Sequence, residues 1–168
     1  MFSQLFGKYL VDNKVITKEQ LDEVISKMEN VRAKLGFIAV SEGILTKEKA
    51  EEINILQTQK DAKFGDIAVE EGYITKEQLE DMLNKQGSTY IKFMQVLEEV
   101  SGLSQNDIET HIEEFRKSIG FAPEELEALK NDDIDKIVPM FAYASKPYIT
   151  DIKKYYKICY KQLLYWKD

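Results

Sequence analysis

A 29-residue repeat constrains this chain more than any other feature of its sequence. Lys34-Leu35-Gly36 recurs as Lys63-Phe64-Gly65. Each copy runs on to a second glycine (Gly43, Gly72), a Thr-Lys-Glu (from Thr46 and Thr75) and a glutamine (Gln57, Gln86). The same offset finds two eroded copies. Upstream, Phe6-Gly7 takes the Leu35-Gly36 place, Lys14 the Gly43 place, Thr17 the Thr46 place and Met28 the Gln57 place. Downstream, Phe93-Met94, Ser101, Ser104 and Phe115 take the places of Phe64-Gly65, Gly72, Thr75 and Gln86. Four copies thus span about Leu5 to Phe115. An intact inner pair between altered ends is expected of a stack whose ends face water.

Each copy reads as two helices. Gly43 and Gly72 mark the end of a short first helix, where glycine closes the turn in the left-handed conformation. Thr75 is placed as N-cap of the second helix with Gln78 three residues on, a capping box that Thr17 and Gln20 repeat. Thr46 has Lys49 at that place and keeps the single cap. In the second helices Leu21, Val24, Ile25 and Met28, then Leu79, Met82 and Leu83, then Ile108 and Ile112 recur at spacings of three and four, on one face. One helix pair cannot bury such a face alone, so neighbouring pairs are expected to stack. Polar linkers are expected at 29–33, 58–62 and 87–91. Strand signals are nearly absent, and the fold class is all-α.

Beyond Gly120 the repeat is lost. Pro123 suits the first turn of a helix, with Glu124 and Glu125 placed for its dipole, and Asn131-Asp132-Asp133 breaks the chain before a helix to Phe141. Pro147 opens a last helix carrying Tyr148, Tyr155, Tyr156, Tyr160, Tyr165 and Trp166, with Lys153, Lys154, Lys157 and Lys161 interleaved. Three roles fit it: packing on the end of the repeats with snorkelling lysines, a partner interface (Tyr155, Tyr156, Tyr160, Tyr165, Trp166), or a membrane-surface helix. The division expected is a four-repeat helical domain over 1–118 and a C-terminal helical segment over 119–168.

The 168 residues carry a net charge of −7, which repels phosphate backbones, so neither DNA nor RNA is an expected partner. No apolar run reaches the roughly 18 residues of a membrane span. One cysteine, Cys159, and a start without secretory-signal character point to a cytoplasmic protein. No phosphate loop, Cys-x-x-Cys, Gly-x-Ser-x-Gly or calcium-loop spacing is present. His111, the single histidine, reads as a packing or surface residue, and the acidic pairs as solvated faces. The expectation is a non-enzyme that needs no cofactor or metal.

The inner copies resemble the MshEN domain, the N-terminal domain of type II secretion and type IV pilus ATPases. The matching residues are Lys34-Leu35-Gly36, Gly43-Ile44-Leu45 and Gln57, then Lys63-Phe64-Gly65, Gly72-Tyr73-Ile74 and Gln86. Some members bind cyclic di-GMP through two such motifs. By position the resemblance implies Lys34, Leu35, Gly36, Gly43 and Gln57 with Lys63, Phe64, Gly65, Gly72 and Gln86 as ligand-binding. Lysine replaces the family's arginine, Ala50 stands for a leucine, and the motifs lie closer together than in the nucleotide-binding members. The other reading of these positions is that the glycines shape a tight helix hairpin and that Gln57 and Gln86 cap or bridge neighbours. Phe6–Leu10, Phe64–Ala68 and Asn131–Ile134 also look like stretches of bacterial chemotaxis or signalling proteins. In some of those, such repeats accompany a domain similar to the chemotaxis phosphatases. The expectation is a non-catalytic bacterial signalling or protein-interaction module serving a secretion, pilus or chemotaxis-type system. A cyclic di-GMP receptor and an oligomerising scaffold are the alternatives.

Overall fold

The second helices of the repeat begin at Lys18, Lys47, Lys76 and Gln105 in a computed structural model that describes residues 1–137. The helices run α1 (Phe2–Asp12), α2 (Lys18–Met28), α3 (Leu35–Ser41), α4 (Lys47–Lys60), α5 (Phe64–Glu70), α6 (Lys76–Lys85), α7 (Thr89–Ser101), α8 (Gln105–Ile119) and α9 (Pro123–Lys130). Among the described residues the structure is all-α, and no helix is long and apolar enough to cross a membrane. The aromatic segment with Tyr155, Tyr156, Tyr160, Tyr165 and Trp166 lies outside the described residues, as does Cys159.

One turn closes the first helix of three copies. Lys14, Gly43 and Gly72 have φ of +59°, +68° and +73°. In each, the next two N–H groups donate to one carbonyl: Val15 and Ile16 to Leu10, Ile44 and Leu45 to Ala39, Tyr73 and Ile74 to Ala68. The fourth copy departs from the sequence alignment. α7 runs through Ser101, so the left-handed residue is Gly102 (φ +73°), whose N–H donates to Glu98. The helix runs further at this end and the turn from its left-handed residue to α8 is one residue shorter, since Gln105 keeps the 29-residue offset. Helix also extends into two of the expected linkers, since α4 reaches Lys60 and α7 starts at Thr89 with the Ser88 hydroxyl accepting from Ile91 N–H. Thr75 and Gln78 form the reciprocal capping box, and Thr46 accepts from Lys49 alone.

A left-handed lysine costs about 1–2 kcal/mol that glycine avoids, less the extra freedom that glycine loses on folding. Lys14→Gly is therefore expected to stabilise the protein by roughly 0.5–1 kcal/mol. Gly72→Ala, where an added Cβ has nothing within 4 Å, is expected to destabilise it through the backbone alone. Urea melts of both variants check the pair, and a loss in Lys14→Gly would contradict the turn assignment.

Among the described residues the chain packs as two compact units, one of Met1–Thr17 with 106–137, the other of Lys18–Gln105. In the first, Phe115 of α8 meets the rings of Phe2, Phe6 and Tyr9 from α1, with centroids 6.3, 5.5 and 5.4 Å away. Arg116 grips Glu113 and donates to the Phe121 carbonyl at 2.8 Å, closing the end of α8. That guanidinium holds the Glu113 carboxyl down to about 2. Pro123 opens α9, and Glu125 accepts from Ala122 N–H. His111 lies half-buried with Nδ1 2.9 Å from Glu114, which also accepts from Tyr9 at 3.4 Å.

In the Lys18–Gln105 unit, packing order departs from sequence order. α3 packs against α6, α4 against α5, and α3 against α5. From this crossed pairing, first helix of each pair on the second helix of the other, we infer an approximate two-fold relation of α3/α4 to α5/α6 rather than a step along a stack. Both pairs bury the same places: Ile38 and Ile67, Ala39 and Ala68, Ile53 and Met82. The helices α2 and α7, from opposite ends of the repeat, pack on each other. α7 buries Ile91, Phe93, Met94, Val96 and Leu97, so this outer helix is core instead of a water-facing end. Its run of apolar side chains has no other way to leave water.

Candidate functional site

Of the residues singled out by the repeat, Leu35, Phe64, Gln57 and Gln86 lie where α3/α4 and α5/α6 meet. Lys34 and Lys63 precede α3 and α5 in extended conformation (ψ 135° and 148°). Leu35 is half-buried and Phe64 buried, both in the apolar cluster that joins the pairs.

Side chains from elsewhere in the unit approach Gly36 and Gly65 closely. A Cβ on Gly36 would lie 3.2 Å from the Phe64 ring and 3.8 Å from Ala50 Cβ. On Gly65 it would lie 2.6 Å from a methyl of Leu79. The two-fold places are filled differently. Phe64 with the small Ala50 occupies the space at Gly36, and Leu79 that at Gly65. The alanine standing in a leucine's place is thus matched by a larger side chain from the other pair. Gly43 and Gly72 are exposed and serve the turns described above.

Gln57 and Gln86 bind backbone. Gln86 Nε2 donates to the carbonyl of Ala33 at 2.7 Å, just before Lys34, and Gln57 Nε2 to that of Ala62 at 3.4 Å, just before Lys63. Each glutamine thus holds the entry to the other pair's first helix, as the approximate two-fold axis requires. Lysines flank the same crossing. Lys85 of α6 reaches Glu42 at 2.7 Å, and Lys60 of α4 reaches Glu71 at 2.6 Å. Lys85 is held above the ordinary lysine range by its bonds to Asp81 and Glu42, and Lys60 by its bond to Glu71.

The two lysines of the motif differ. Lys34 N–H donates to Gln95 Oε1 at 2.7 Å, and its ammonium lies 2.8 Å from Glu99. Gln95 Nε2 completes the ring by donating to Glu99 at 3.3 Å. Lys63 is exposed, with no side-chain hydrogen bond or ion pair among the described residues. Gln95 and Glu99 escape notice in the sequence because the fourth copy has lost the motif. The available signal is Gln95 itself, a polar residue inside Phe93-Met94-Gln95-Val96-Leu97 and only 3% exposed.

Gln86→Leu keeps the side-chain volume and leaves the buried Ala33 carbonyl without its donor, at an expected cost of about 1–3 kcal/mol. Gln57→Leu removes a longer bond to a half-buried residue and is expected to cost less. Chemical denaturation of the two variants ranks them, and equal losses would undo the distinction.

Among the described residues no group of three or more His, Cys, Asp and Glu side chains could hold a metal ion. The chain matches no family model, no curated protein and no solved structure.

Proposed function

We propose that this chain is a non-catalytic protein-interaction module of a bacterial signalling system, coupled to a secretion, pilus or chemotaxis-type machine. The family context rests on the resemblance of Lys34–Gln57 and Lys63–Gln86 to the MshEN motif. The observation that favours a protein partner over a nucleotide is how the motif residues are used. Gln57 and Gln86 hold backbone carbonyls, Phe64 and Leu79 fill the space at Gly36 and Gly65, and Gln95 and Glu99 engage Lys34. A cyclic dinucleotide would have to displace these bonds to use the same groups. The exposed helix faces, which carry Ile55 and Leu83 among their polar residues, suit a protein partner bound by side chains.

One observation favours the second reading, a cyclic di-GMP receptor. Lys63 is exposed and, among the described residues, without an ion pair that a phosphate would have to displace. Calorimetric titration of cyclic di-GMP into the purified chain at moderate salt, with GTP as control, separates the two. The interaction module gives no saturable heat. Saturable binding near micromolar, lost in Lys34→Ala and Lys63→Ala, would overturn it in favour of the receptor.

A further inference from the structure

We draw no further inference here: the strongest candidate, the exposed Lys63 corner ahead of α5, whose two-fold counterpart Lys34 is engaged by Gln95 and Glu99 of α7, carries nothing, since it is the first turn of a seven-residue helix and nothing in the structure shows what covers it.

Discussion

Truncating Phe115 to alanine is expected to destabilise the unit built from α1, α8 and α9 by about 3–5 kcal/mol, the usual cost of deleting a buried phenylalanine. The ring is 2% exposed and touches three others, with Phe2 edge-on at 89°. Such aromatic pairs contribute about 0.5–1.5 kcal/mol each beyond the area they bury, which places the loss toward the upper end. Phe115→Leu retains most of the volume and is expected to lose clearly less. Urea denaturation followed by far-ultraviolet circular dichroism measures both. A loss below about 1 kcal/mol for the alanine variant would mean that the site collapses without penalty and that Phe115 is not the anchor of α1. The position is informative for another reason. Inner copies carry Gln57 and Gln86 here, whereas outer copies carry Met28 and Phe115, both buried. A glutamine serves where a carbonyl waits across the two-fold crossing, and an apolar side chain where the helix end enters a core.

The second large effect belongs to Phe64. Phe64→Ala is expected to cost about 3–5 kcal/mol, because its ring fills the space between Gly36 and Ala50. A more discriminating test uses the difference between the two crossings. Ala50→Leu alone crowds the ring and is expected to destabilise by about 1–3 kcal/mol. Combined with Phe64→Leu, which vacates part of that space, the same substitution is expected to cost less than about 1 kcal/mol, since the summed volume is restored. The double-mutant cycle over Ala50 and Phe64 therefore shows a favourable coupling. Strict additivity would show that the two side chains do not share one space, and the account of the missing leucine at position 50 would fail.

Local structure was legible in the sequence wherever a single residue type does a local job. Gly43 and Gly72 closed their helices as read, the Thr75–Gln78 capping box formed, and Pro123 opened α9. These depend on backbone conformation and on groups three or four residues apart, which sequence spacing reports directly. The all-α class followed from the same spacings. The left-handed residue of the fourth copy lies one position past the aligned Ser101, because α7 runs further while α8 keeps the 29-residue offset.

Which helix meets which was decided only by the tertiary structure. A repeat in sequence is equally compatible with pairs translated along a stack and with pairs rotated about an axis, because both bury the same face of each helix. Packing chose the rotation for α3/α4 and α5/α6, as the reciprocal bonds of Gln57 and Gln86 record. The roles of Gly36 and Gly65 also lay beyond the sequence, since the side chains that crowd them, Phe64 and Leu79, are reached through space. The unlike fates of Lys34 and Lys63 were likewise invisible, because Gln95 and Glu99 come from a copy in which the motif has eroded. The sequence by itself determined the helices, their caps and the places that must be apolar or glycine, through interactions short along the chain. The partners of those places were left to the tertiary fold, because burial requires only an apolar neighbour and does not specify which one.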